Sequence, residues 1–309
     1  MKLYQRKEND PAPIGQADPY IFKDDNGKYY VYATGGQIYR SEQLKEGWEF
    51  LGHLLEMPGQ KNCWAPCVIK LNGKYYMYYS SMPEDTEDVH QQTLRVAVSD
   101  TPDGPFVYQK DMTAPFSIDP HTVENGTGTY IFYCNNDYDA ERAGTFILCD
   151  KLTDPMTMEG KAVPVVLPSI DEEIFARDRF KKGQHWHTIE GAFYFYESGI
   201  HYVMYSGANY TNPTYFIGYA IAYGEKDVDL RTLNWQKYPD AHTYAPVLKS
   251  NGVIEGMGHN SVLKDDGKYY IVYHGRDMGD ADRLPDDSRC ARIDEMKVDG
   301  PKLSVVPTI

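Results

Sequence analysis

ADPYIFKDDNGKYYVYAT, residues 17–34, is the stretch on which the reading of the fold turns. A short apolar run, YIF, leads into an Asn-Gly pair, and an aromatic run, KYYVYAT, follows. Asn-Gly supplies the positive φ that a tight hairpin turn needs, and β-branched and aromatic residues suit the pleated strands on either side. Four further segments repeat the pattern: WAPCVIKLNGKYYMYYS (64–80), IDPHTVENGTGTYIFYC (118–134), IEGAFYFYESGIHYVMYSG (189–207) and GHNSVLKDDGKYYIVYHG (258–275). Their turn glycines are Gly27, Gly73, Gly128, Gly199 and Gly267.

That spacing leaves room for two more strands after each hairpin. TLRVAVSD (93–100), GTFILCDK (144–151) and YFIGYAIAY (215–223) have the required composition. Four strands per repeat is the unit of a β-propeller blade, so the chain is expected to be all-β, a single five-bladed propeller over residues 1–309. The stretch around 168–188 is expected to be a loop insertion. Helical periodicity is nowhere sustained. A β-sandwich with coincidental hairpin spacing is the rival architecture.

Composition agrees with this and narrows the function. The chain has 309 residues, enough for a large core, and 27 of them are tyrosine, a residue that favours half-buried pleated surfaces. A net charge of −14 repels phosphate backbones, which argues against nucleic acid as a partner and is compatible with a neutral substrate. No stretch approaches the roughly 20 apolar residues of a membrane span. The first residues, MKLYQRKENDPAPIG, lack the apolar core of a signal peptide, so a cytoplasmic protein is expected. The five cysteines are odd in number and lack zinc-ligand pairing, and they read as ordinary thiols.

Aligning the repeats on their glycines and counting back eight or nine residues gives Asp18, Ala65, Asp119, Glu190 and His259. In a propeller the first strand of each blade lines the axis, so these positions should ring one mouth of the channel. Asp-Pro pairs are common turn starters, and Asp10-Pro11 and Asp154-Pro155 read as plain turns outside the ring. Glu190 and His259 do not fit that explanation. Two carboxylates across a pocket are the minimal equipment for glycosidic bond cleavage, one protonated to serve the leaving oxygen and the other ionised. A third raises its neighbour's pKa by like-charge repulsion.

In order, ADPYIF, WAP, SIDP, IEGA and GHNSV resemble the family 43 glycoside hydrolases over nearly the whole chain. The resemblance implies a five-bladed propeller and an inverting reaction. It implies Asp18 as general base, Glu190 as general acid and Asp119 as the carboxylate that tunes and orients the acid. It implies Trp64 as an apolar wall for the sugar and His259 as an axial histidine associated with calcium or another cation through water. Arg292, in RCARIDEM, resembles the family's substrate-contacting arginine, with Arg289 close by; MKVDG stands where the family usually has a tryptophan. Inversion would set the carboxyls of Asp18 and Glu190 about 6.5–9.5 Å apart, to leave room for a water.

The expected substrate is a small oligosaccharide, with terminal α-L-arabinofuranosyl residues released by exo attack and β-D-xylosides as the alternative. Endo-arabinanase activity ranks third, because a cytoplasmic enzyme does not meet polymers. The absence of an appended β-sandwich domain points the same way. Non-catalytic sugar-binding and protein-binding propellers are the rivals from other classes. His185 and His187 in HWH read as loop or rim residues, PEDTEDV (83–89) as a solvated loop, and DADRLPDDSR (280–289) as a loop that could overhang the pocket.

Overall fold

A computed structural model describes residues 1–6, 10–280 and 288–308. The expected hairpins are all present. Tyr20–Lys23 pairs with Tyr29–Ala33, Gln60–Leu71 with Lys74–Pro83, Ile118–Asn125 with Gly128–Asp137, Trp186–Glu197 with Ile200–Gly207, and Ile254–Asp265 with Lys268–Asp277, all antiparallel. Three turns are two-residue turns with both residues at positive φ, the geometry that follows strand twist: Asn72-Gly73, Ser198-Gly199 and Asp266-Gly267. The third hairpin differs from expectation. Its strands close at Asn125 and Gly128, so Gly126 and Thr127 make the turn and Gly128 is the first strand residue.

Each hairpin gains outer strands, including the expected Thr93–Ser99, Gly144–Asp154 and Phe216–Tyr223. The result is five antiparallel blades, running over residues 20–53, 60–111, 118–166, 186–237 and 254–305. The third and fourth touch edge to edge where Gly144 and Thr145 run parallel to His187 and Thr188. A Cβ on Gly144 would lie 2.1 Å from the His187 carbonyl oxygen, so only glycine permits that approach. The N-terminus closes the ring: Leu3 donates to the Ala291 carbonyl and Ile293 to that of Met1. Among the described residues no helix is long and apolar enough to cross a membrane.

The tyrosines explain how the blades hold one another. Nine of the twelve largest fully buried side chains are tyrosines, and each buried hydroxyl needs a partner. Several find it on the next blade. Tyr32 donates to the Pro102 carbonyl at 2.9 Å, Tyr78 to Pro155 at 2.6 Å and Tyr219 to Pro301 at 3.0 Å. These rings fill the space between blades and their hydroxyls tie down the neighbour's turns.

A second ring of contacts surrounds the axis. Asp18, Ala65, Asp119 and His259 all have positive φ, as does Gly191, and each starts its blade's inward run. A side chain on the second strand of one blade meets the backbone N–H of such a residue on the next. Thr34 accepts from Ala65, Ser206 from His259, and His274, on the last blade, from Asp18 on the first. Left-handed residues thus sit at one height around the axis and hold their side chains at one mouth. Two residues further along their strands, Tyr20, His121 and Phe193 pack together with ring centroids 4.3–6.0 Å apart.

Candidate active site

The repeat alignment is off by one residue in the fourth blade. There the left-handed position belongs to Gly191. Glu190 is the residue before it, and its strand partner Ser206 places it level with Trp64, Ile118 and Gly258 on the other blades. The acid therefore comes from the adjacent row and is not the counterpart of Asp18 and Asp119. Gly191 is needed for this: an added Cβ would meet the His259 ring at 3.1 Å, and its N–H donates to Asp119 Oδ2 at 3.2 Å.

The expected convergence holds. Asp18, Asp119, Glu190, His259 and Trp64 line one pocket, with Thr34, Ile118, Tyr210 and Arg289, around a cavity of about 120 Å³. The exception is Arg292. Its strand turns it away from the mouth, where Nη2 binds Asp277 and Nε donates to the Gly275 carbonyl. Arg289 stands at the pocket instead, its Nη1 3.4 Å from Asp18 Oδ1, because it precedes the strand Cys290–Asp299 while Arg292 lies within it.

The carboxylates are buried together but in unlike company. Burial alone would push Asp18 up. Against that, His259 lies 3.3 Å from its Oδ1 and Arg289 and His274 sit beside it, so its carboxyl is held well below the usual range. The Thr34 hydroxyl also donates to Oδ2. Asp119 is pushed well above its usual value by burial and by the charges of Glu190 and Asp18. Glu190 is pushed up to about 7, by burial and by Asp18, against an opposing hydrogen bond from Tyr215. At neutral pH the site thus holds an ionised Asp18 opposite a pair that retains a proton. Burial also lowers the pKa of both histidines, His274 to about 4, so they face Asp18 largely as neutral rings.

Thr34, Ile118 and Tyr210 in the pocket wall escape the sequence reading, as do Tyr215 and His274 behind it. The Tyr215 hydroxyl donates to Glu190 Oε1 at 2.7 Å, and its ring stacks on His274 at 5.7 Å and 7°. Gly258 makes room, since a Cβ there would lie 1.8 Å from the Tyr215 ring. His274 binds the Asp18 backbone and faces its carboxylate, so one stacked pair touches both the low-pKa and the high-pKa wall. His274 had a signal in the repeat, since it falls where Thr34, Ser80, Cys134 and Ser206 fall. Tyr215 follows a loop of variable length and had none.

The remaining expectations fall outside the pocket. His187 meets Arg142 at 3.0 Å and His185 meets the Asp178 backbone. All five cysteines are free thiols. Residues 281–287 of the expected overhanging loop lie outside the described residues. Among the described residues no group of three or more His, Cys, Asp or Glu side chains is arranged to hold a metal ion, so the donor set does not fit a directly bound cation at His259.

Comparison with known proteins agrees with the geometry. Residues 11–300 match the model of glycosyl hydrolases family 43. An extracellular exo-α-(1→5)-L-arabinofuranosidase from Streptomyces avermitilis is 26% identical over 93% of this chain, and an α-L-arabinofuranosidase B from Pyricularia oryzae is 25% identical over 91%. The chain spans 60% and 59% of those two relatives. The crystal structure of a thermostable family-43 glycoside hydrolase superposes with a TM-score of 0.76 at 29% identity, covering 94% of this chain and 92% of its own. An α-L-arabinofuranosidase from Lactobacillus brevis shares the fold, with a TM-score of 0.75 at 21% identity and coverage of 95% and 94%. With five blades, a shared axial pocket and a family match over nearly its whole length, the chain belongs to glycosyl hydrolase family 43.

Proposed function

We propose that the chain is an inverting exo-α-L-arabinofuranosidase acting on arabino-oligosaccharides. The observation that carries this is the convergence of Asp18, Asp119 and Glu190 on one axial pocket, with Arg289 and His259 beside Asp18 and the Tyr215 hydroxyl bonded to Glu190. Ionised Asp18 takes a proton from water as the water oxygen attacks the anomeric carbon. Glu190 gives its proton to the glycosidic oxygen as that C–O bond breaks. Glu190 is assigned as donor over Asp119 because it is only half-buried, within reach of a leaving oxygen, whereas Asp119 is 6% exposed and held by the Gly191 N–H. Asp119 keeps the proton on the pair, Arg289 and His259 keep Asp18 ionised, and Trp64 offers a flat wall to the sugar ring.

The small cavity, about 120 Å³ with Trp64 and Ile118 in its walls, supports a single terminal sugar as the group it holds. The names carried by the relatives support arabinofuranose as the terminal sugar. Release of p-nitrophenol from the α-L-arabinofuranoside and the β-D-xyloside decides between the two sugars. The arabinofuranoside is expected to be the better substrate, and turnover of the xyloside alone would overturn that choice. Proton NMR of the first-formed sugar should show the inverted anomer.

A further inference from the structure

A line of aromatic side chains leads away from the pocket along the third and fourth blades. Tyr210 lines the pocket wall, and the Arg289 guanidinium lies 4.7 Å over its ring. Its neighbour Asn209 donates to the Phe175 carbonyl. Arg179 stands over the rings of Phe175, Phe180 and Trp186 at 5.1–5.2 Å. Phe180 and Tyr138 both pack on Trp186, with centroids 5.4 and 5.0 Å away.

This line lies on the pocket face. Trp186 opens the strand that carries Glu190, four residues ahead of it, which at about 3.3 Å per residue puts the cluster about 13 Å from the acid. Of the four exposed large aromatic side chains among the described residues, Tyr138, Phe180 and Tyr210 all belong to it, at 47%, 54% and 40% exposure. The fourth, Tyr223, ends a strand at the opposite face, paired with Ile200 beside the Gly199 turn. Beside Tyr138 a cavity of about 470 Å³ adds a polar rim that includes Arg142, Asp171, Gln184 and His185. Flat apolar faces next to hydrogen-bonding groups suit the C–H faces and hydroxyls of a neutral sugar.

We propose that this ridge is a distal subsite for the leaving-group part of the oligosaccharide, with Phe180 and Tyr138 as its stacking platforms. It rests on the glycosidase reading above and extends it. The pocket takes the terminal pentose, and the rest of the chain lies outward over Tyr210 toward Phe180. The ridge comes mainly from the 168–188 insertion, so it sets which chain lengths are preferred without touching the reacting bond.

The test is kcat/KM for the p-nitrophenyl glycoside and for linear oligosaccharides of increasing length, in the unaltered protein and in Phe180→Ala, Tyr138→Ala and Phe180→Trp. Unaltered protein should gain with length. The two alanine variants should lose about tenfold on the longest oligosaccharides and nothing on the p-nitrophenyl glycoside, with Phe180→Trp close to the unaltered protein. No gain with length, or an equal loss on the p-nitrophenyl glycoside, overturns the subsite. If only xylosides are cleaved, the arabinofuranoside assignment fails by itself, and the ridge is judged on the xylo-oligosaccharide series.

Discussion

On the Asp18 wall of the pocket, a buried carboxylate faces His259, the Arg289 guanidinium and the Thr34 hydroxyl, while His274 Nδ1 accepts from the Asp18 backbone N–H. On the Glu190 wall, half-buried Glu190 and buried Asp119 lie together, and the hydrogen-bond donors are one tyrosine hydroxyl and one backbone N–H. Glu190 is the more exposed of the three and desolvation pushes all of them up, yet the ionisation is opposite. The difference lies in the neighbours: desolvation raises any carboxyl, and only the wall with the Arg289 guanidinium and several polar partners around its carboxylate reverses it. The pocket thereby holds an acid and a base in one cavity without either neutralising the other.

The most severe way to break the comparison is to neutralise one wall. Glu190→Gln is expected to lower kcat on oligosaccharides by about 10²–10⁴-fold and to cost much less on an activated aryl glycoside, whose leaving group needs no proton. Asp18→Asn should be equally damaging on both substrates, because water activation is required whatever leaves. Losses that ignore the leaving group in Glu190→Gln would remove it from the acid's place.

A milder change sharpens the contrast between the two arginines. Arg289→Ala withdraws a cation from Asp18, so the Asp18 pKa rises and the acidic limb of the pH–rate profile moves to higher pH. A loss of about 10–100-fold in kcat/KM should accompany it, the scale of a hydrogen bond to a charged group. Arg292→Ala should leave the profile in place and lower the melting temperature, because it removes a buried side chain together with its bonds to the Gly275 carbonyl and Asp277. Matching pH profiles in the two variants would refute the placement of Arg289.

Tyr215→Phe tests the bridge between the walls. Its hydroxyl stabilises the ionised form of Glu190, so its removal raises the acid's pKa and moves the alkaline limb upward, with a loss of about tenfold in kcat/KM. An unmoved alkaline limb would reduce Tyr215 to a packing residue.

The smallest effect is on stability. The folded-state pKa of Glu190, about 7, is raised above its ordinary 4.5. Its carboxyl therefore favours the folded state below the ordinary value, and that contribution is lost as pH rises through about 7. Glu190→Gln removes the burden of a buried charge, so at pH 8 the variant should be more stable than the unaltered protein by about 1–2 kcal/mol, and the gap should close at pH 4. Equal melting curves at pH 8 would mean that the carboxyl is better solvated than its surroundings suggest.

The sequence carried the fold because the blade is a local unit, and Asn72-Gly73, Ser198-Gly199 and Asp266-Gly267 mark its turns directly. It carried the three acids because repetition converts distance along the chain into proximity at the axis. It misplaced Glu190 by one row because the count allows eight or nine: the fourth hairpin has the same two-residue turn as the second and fifth, where eight residues separate the turn glycine from the left-handed residue, and eight leads to Gly191. Arg289 and Arg292 are three residues apart, and only the start of the strand at Cys290 separates a pocket residue from a structural one. Tyr215 was illegible because it reaches the site through tertiary packing made possible by Gly258, a residue on another blade.

The opposed ionisation of the two walls is most directly measured by carbon-13 NMR of side-chain carboxyl groups across pH, with Asp18→Asn and Glu190→Gln used to assign the signals. Asp18 should stay ionised well below the range of an ordinary aspartate, while Glu190 should keep its proton until close to pH 7. Both groups titrating together near their ordinary values would contradict the account.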